Sequence, residues 1–111
     1  MECRINAEDP ANNFAPSAGT ITRYVPPGGP GVRVDTHVHQ GYRIPPNYDS
    51  MIAKVIVHQN TRQEAIDTMK RALREFVIEP TKTTIPACLE ILSHNLFIKN
   101  KIDTSFVEKN L

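Results

Sequence analysis

MIAKVIVHQNTRQEAIDTMKRALREF, residues 51–76, sets a strand and a helix back to back. Met51 to His58 is nearly all apolar and rich in β-branched residues. A run of that length and composition predicts a central strand, buried on both faces. After Gln59 the period changes. Thr61 and Glu64 stand at the spacing of a capping box. Ala65, Ile66, Met69, Ala72, Leu73 and Phe76 then repeat at helical spacing, with charges on the opposite side.

Outward from this unit the chain divides in two. Residues 1–58 are rich in Pro, Gly, Val, Ile, Thr and Tyr, and residues 60–111 are helix formers. Period-two patterns predict strands at about 1–7, 19–25, 31–39 and 51–58. TITRYV (20–25) sets Ile21, Arg23 and Val25 against Thr22 and Tyr24. GVRVDTHVH (31–39) sets Val32, Val34, Thr36 and Val38 against Arg33, Asp35, His37 and His39. NFAPSAGT (13–20) and VPPGGPG (25–31) punctuate the strands, and GYRIPPNYDS (41–50) reads as a loop because its Pro-Pro pair removes two backbone donors. In the second half, FVIEP (76–80) suits a short strand. TTIPACLEILSHN (83–95) suits a helix with Pro86 in its first turn and Ile85, Leu89 and Leu92 facing the core. Ser105 and Glu108 repeat the capping pattern before a short terminal helix. The expected architecture is α+β, one domain over residues 1–111. An antiparallel sheet from the N-terminal half packs with two or three helices from the C-terminal half.

The 111 residues suit one domain, with 40% apolar and 23% charged residues and a formal net charge of +1. That balance gives no reason to expect nucleic acid as a partner, and no apolar run is long enough to span a bilayer. There is no signal-peptide pattern at the start. Cys3 and Cys88 make one disulfide arithmetically possible, but nothing else resembles a disulfide scaffold. Two reduced, buried thiols in a cytoplasmic protein are the expectation.

Three patterns invite a chemical reading. Asp35, His37 and His39 on one strand face could hold zinc or iron. The plainer reading is a solvated polar face, and no metal site is assigned. VPPGGPGVR (25–33) is glycine-rich, but no Walker pattern is present and a strand follows where a phosphate loop needs a helix, so it reads as a wide turn. The first strand is the third. Glu2, Arg4, Asn6 and Glu8 alternate with Cys3, Ile5 and Ala7, leaving a guanidinium on a polar face between a carboxylate and an amide. Arg4 can be a sheet-surface ion pair, or a fixed, permanently charged fork that meets an anion or an enolate oxygen.

ECRINAEDP (2–10), FAPSAGTIT (14–22), PPGGPGVRVDTHV (26–38) and GYRIPPNYDSMIAKVIVH (41–58), in that order, resemble the C-terminal domain of biotin carboxylase. This is the ATP-grasp enzyme of acetyl-CoA, pyruvate and propionyl-CoA carboxylases. RQEAIDTMKRAL (62–73) and Lys82-Thr83 extend the resemblance along the whole chain. Asn47, His39-Gln40 and Pro80 depart from the family's usual wording.

The resemblance implies ATP- and bicarbonate-dependent carboxylation of biotin on a carrier protein. Arg4 matches the family arginine that faces biotin and bicarbonate, as the catalytic and binding residue. Spacing alone, on the same strand face, suggests that Glu2 and Asn6 hold it in place, and Asp49 looks like a loop acid near the biotin side, although it reads equally as an Asx-turn residue. Arg33 matches a dimer-contact position, and Thr104 falls where the family's last segment nears the adenine pocket. Biotin, ATP and magnesium are the implied cofactors, with ATP and magnesium bound mainly outside this chain. The implied partners are the ATP-grasp portion, the biotin carboxyl carrier and a second copy in a homodimer. The ATP-grasp portion is not among these 111 residues, so the resemblance implies a fragment of a longer enzyme, inactive alone. A rival reading is a non-catalytic module that only docks the carrier and the rest of its enzyme. Which carboxylase it serves is decided by a separate carboxyltransferase.

Overall fold

A computed structural model of the chain describes residues 1–46 and 49–111. The strands are β1 (Glu2–Asn6), β2 (Glu8–Asp9), β3 (Ala15–Pro16), β4 (Gly19–Thr20), β5 (Arg23–Val25), β6 (Val32–Thr36), β7 (Arg43–Ile44), β8 (Met51–Val57) and β9 (Val77–Glu79). The helices are α1 (Arg62–Glu75), α2 (Ile85–Ser93), α3 (Asn95–Ile98) and α4 (Phe106–Asn110).

The apolar run of residues 51–57 becomes the middle of a three-stranded antiparallel sheet, ordered β1-β8-β6. Cys3 and Val34 both face Val55, and Ile5 and Thr36 both face Ala53. This side carries the core, where Ile5, Val55 and Val57 are fully buried. Helix α1 lies on that side and buries Ala65, Ile66, Met69, Ala72 and Leu73, the residues its periodicity marked. Each large apolar side chain so buried contributes about 1.5–3 kcal/mol. Thr61 caps the helix, its Oγ1 accepting from the Glu64 N–H at 3.2 Å. Pro86 falls in the first turn of α2, and Leu92 enters the core with Ile85 and Leu89 packed beside it.

The other strands depart from the sequence reading. Residues 19–25 are two strands, not one, because each half pairs elsewhere. Strand β4 pairs with β7 and β5 with β9. The switch splits the face expected to hold Ile21, Arg23 and Val25 together. Ile21 is fully buried, Tyr24 turns inward against Phe76 at 5.7 Å, and Val25 is 44% exposed. The segment 41–50, expected to be loop throughout, supplies β7. The strand expected to reach residue 39 stops at Thr36. There the Thr36 hydroxyl donates to the Ile52 carbonyl at 2.7 Å and accepts from the Val38 N–H at 3.1 Å, which turns the chain.

Between β5 and β6 the glycine-rich segment joins two different sheets, so it is a crossover and not a hairpin turn. Gly31 is required there. Its φ is +78°, and a Cβ would stand 2.6 Å from the His58 carbonyl oxygen. Helix α3 has no counterpart in the sequence reading, and Ser105 does not cap α4 with its own side chain. Asp103 accepts from the Ser105 N–H at 2.9 Å instead. Asn47, one of the departures from the family wording, lies outside the described residues.

Candidate functional site

The side of the three-stranded sheet away from α1 is charged. Two rows cross it. Glu2, Ile56 and Arg33 form one, and Arg4, Lys54 and Asp35 form the other. Two carboxylates therefore face three cations; Glu2 lies beside Arg4 and Asp35 beside Arg33, which leaves the surplus positive charge at Lys54, next to Arg4.

Arg4 stands on the edge strand of this face. Its Nε lies 3.5 Å from the Glu2 carboxylate, and its side chain is 69% exposed. Among the described residues no protein acceptor engages the two terminal guanidinium nitrogens. Glu2 thus holds the root of the fork and leaves its outer donors directed to whatever approaches the sheet. A pair this exposed contributes little to stability. Its value is orientation.

The main chain under Arg4 is held more firmly than its side chain. Thr84, a buried residue just before α2, donates from Oγ1 to the Arg4 carbonyl at 3.3 Å. The same oxygen accepts from the Asn6 N–H at 3.0 Å, and the Thr84 N–H donates to the Asn6 carbonyl at 3.0 Å. Strand β1 is an edge strand, and Thr84 satisfies the edge that β8 leaves open. Sequence reasoning missed Thr84. The only signal was the threonine pair preceding Ile85-Pro86.

The other expected site residues scatter. The Asn6 side chain turns to Glu8, its Nδ2 3.5 Å from the Glu8 carboxylate, so no hydrogen bond links it to Arg4. The register slips between Ile5 and Asn6, which breaks the alternation that put both side chains on one face. Asp49 accepts from the Met51 N–H at 3.0 Å and starts β8, the Asx-turn role. Arg33 is exposed and grips Asp35 with two bonds, at 2.9 and 3.0 Å. Thr104 is exposed in the turn before α4.

The trio Asp35, His37 and His39 does not assemble as a ligand set. Asp35 belongs to Arg33. Past the turn at Thr36, His37 and His39 pack edge-on against Tyr42, at 5.5 and 5.6 Å. Among the described residues no group of three or more His, Cys, Asp or Glu comes together in a way that could hold a metal ion. Among the described residues no helix is long and apolar enough to cross a membrane.

Residues 2–109 match the family model of the biotin carboxylase C-terminal domain. The chain belongs to that family. It is 59% identical to biotin carboxylase 1 of Bacillus subtilis over 97% of this chain and 24% of that protein. It is 53% identical to a subunit of pyruvate carboxylase from Methanothermobacter thermautotrophicus, over 98% of this chain and 22% of that one. The crystal structure of the biotin carboxylase domain dimer of Hydrogenobacter thermophilus 2-oxoglutarate carboxylase, in complex with MgADP, ADP and bicarbonate, superposes with a TM-score of 0.93. The sequences are 48% identical, over 97% of this chain and 24% of that one. The chain thus spans about a quarter of the length of the relatives it matches. The same domain occurs in relatives named for different carboxylases, consistent with its wording not revealing which it serves.

Proposed function

We propose that the chain is the C-terminal portion of a cytoplasmic biotin carboxylase, acting in the ATP- and bicarbonate-dependent carboxylation of biotin presented on a carrier protein. The observation that supports this most is Arg4 on an open, cationic sheet face, in a chain of this family. Biotin's ureido nitrogen is a poor nucleophile, and removing its proton drives negative charge onto the ureido oxygen. The terminal donors of Arg4 suit that oxygen, because they are charged, paired and not taken up by protein groups. Glu2 acts through Arg4 as a positioning residue.

Nucleotide and magnesium are assigned to the ATP-grasp portion of the longer enzyme, where magnesium would neutralise phosphate charge. Thr104 is the position of this chain proposed to approach the nucleotide. Arg33 is proposed to contact a second copy in a homodimer, and Asp49 to border the biotin side. The remaining charged face is proposed to dock the carrier.

The test uses the complete enzyme that contains this chain, supplied with ATP, magnesium, bicarbonate and biotinylated carrier. Carboxylated carrier should appear in step with phosphate release, and the 111-residue chain alone should give neither. A complete enzyme that leaves biotin uncarboxylated under these conditions overturns the reading in favour of a docking module. Turnover by the isolated chain overturns the assignment of ATP to another portion.

A further inference from the structure

The charged row across β1, β8 and β6 sets Arg4, Lys54 and Asp35 side by side. Arg4 and Lys54 are direct partners in the antiparallel ladder, so their Cβ atoms stand about 4.5–5.5 Å apart on one face. Like charges placed directly opposite destabilise a sheet, and a carboxylate between them would relieve this. None is there. Both Asp35 oxygens are taken by Arg33, at 2.9 and 3.0 Å. Glu2 meets only the root of the Arg4 fork, at 3.5 Å and from the same strand. Among the described residues no carboxylate pairs with the Lys54 ammonium. Beside it the face opens into a cleft of about 250 Å³, lined by Asp35, His37, Met51 and Ile52. Lys54 is half-buried on the central strand, where a methionine would pack as well without opposing Arg4.

We propose that Lys54 is a positioning residue for the carboxylation, one that keeps the Arg4 fork unneutralised and turns it off the sheet toward the ureido oxygen. Its role rests on the carboxylase reading above, since Lys54 acts only through Arg4.

Glu2 and Lys54 work on the fork from different sides. Glu2 draws the Arg4 Nε toward its own strand. Lys54 repels the guanidinium from the centre of the sheet, so the terminal donors project outward. The identity of the partner also decides what the fork is free to do. A carboxylate at position 54 would close on Arg4 as a cross-strand ion pair and occupy those donors. Arg33 shows that outcome on the same face. Its Nε and one terminal nitrogen are spent on Asp35. A guanidinium so engaged has fewer donors left for an oxygen that gains charge during the reaction. The two arginines differ in the neighbour each is given, a carboxylate for Arg33 and an ammonium for Arg4.

The test changes Lys54 in the complete enzyme and follows carboxylated carrier, phosphate release and melting temperature together. Lys54→Met should melt at or above the parent, because it removes a like-charge opposition. Its carboxylation should nevertheless fall, by about fivefold to tenfold, with bicarbonate-dependent ATP cleavage nearly unchanged. Lys54→Glu should melt higher still and lose carboxylation by about a hundredfold, as if Arg4 itself were gone. Lys54→Arg should keep most of the carboxylation. In an Arg4→Gln background the Met and Glu changes should add little. A residue that served only packing would lower stability and rate together. Three results overturn the proposal: a folded Lys54→Glu enzyme that carboxylates at the parent rate, a Lys54→Met enzyme that melts below the parent, or Lys54 effects undiminished when Arg4 is absent. Should the glutamate variant not fold, the methionine variant and its combination with Arg4→Gln decide. A parent enzyme that leaves biotin uncarboxylated overturns the carboxylase reading, and the role of Lys54 with it. A parent that carboxylates beside an unaffected Lys54→Glu overturns the role of Lys54 alone.

Discussion

Thr84 and Arg4 stand 3.3 Å apart as hydroxyl donor and carbonyl acceptor, across 80 positions of sequence. With the two bonds to Asn6, this contact is what seats the edge strand of the charged face. Thr84→Val keeps the shape and removes the hydroxyl, leaving the Asn6 N–H and the Arg4 carbonyl without it. Stranding such groups costs about 1–3 kcal/mol. In a domain of this size that lowers the melting temperature by roughly 4 °C or more. Thr84→Ser retains the oxygen and should recover most of the loss. Thermal melts of both variants check it, and a valine variant that melts with the parent contradicts the assignment.

Gly31 and Gly41 separate two causes of glycine dependence. Both have positive φ, +78° and +88°, yet an added Cβ meets the His58 carbonyl oxygen at 2.6 Å at Gly31 and nothing within 4 Å at Gly41. Gly41→Ala should cost only the backbone term, about 1–2 kcal/mol. Gly31→Ala adds a collision with main chain that is itself fixed, since the His58 N–H donates to the Gly31 carbonyl at 2.9 Å. Its loss should exceed that of Gly41→Ala by about 1 kcal/mol or more. Urea unfolding midpoints compare them, and equal losses would show that the loop yields.

What could be read in the sequence was what repeats locally. Residues 51–57 and 62–75 announced themselves because burial of a strand and of one helix face imposes its own period on adjacent residues. The path of 19–25 could not be read that way. Alternation says which side chains share a face, not which strand they pair with, and here the partner changes at Ile21 and Thr22. The Ile21 N–H donates to Tyr42, and the Thr22 N–H donates to Glu79. Arg4 was legible because its exposure follows from strand alternation. Its opposition to Lys54 and Asp35 was not, because register is decided between strands. Thr84 left almost no trace, since its whole effect is exerted far along the chain.

Asp103 gives a pH signature at the other end of the molecule. Its carboxylate accepts from the Ser105 hydroxyl at 2.6 Å and from the Ser105 N–H at 2.9 Å, and these bonds, the hydroxyl first, hold it below its ordinary value of 3.8. A depressed carboxylate stabilises the fold above its unfolded value, and that contribution is lost as pH falls through the folded value. The turn into α4 should therefore loosen at a pH below about 3.8, and Asp103→Ala should loosen it at neutral pH. Carboxyl chemical shifts give the titration, and amide exchange over Phe106–Asn110 gives the loosening. An Asp103 that titrates at or above its ordinary value contradicts the cap.

Arg4 carries the sharpest prediction, made in the complete enzyme. Its guanidinium is largely solvent-exposed and its one ion pair is long, so Arg4→Gln should leave the melting temperature almost unchanged. Carboxylation of biotin should fall steeply. Removing a donor aimed at a developing oxyanion costs about 3 kcal/mol, or about a hundredfold in rate. Bicarbonate-dependent ATP cleavage should fall much less, because that step precedes loss of the biotin proton. Arg4→Lys should restore only part of the rate, since an ammonium keeps the charge but not the paired, planar donors. Glu2→Gln should lower the rate more mildly, because it loosens the fork without removing it, and Arg4→Lys should abolish the effect of changing Glu2 if Glu2 works by orienting the fork. Steady-state carboxylation measured beside phosphate release, with melts of each variant, separates these cases. A folded Arg4→Gln enzyme that carboxylates biotin at the parent rate would reduce Arg4 and Glu2 to an ordinary surface pair.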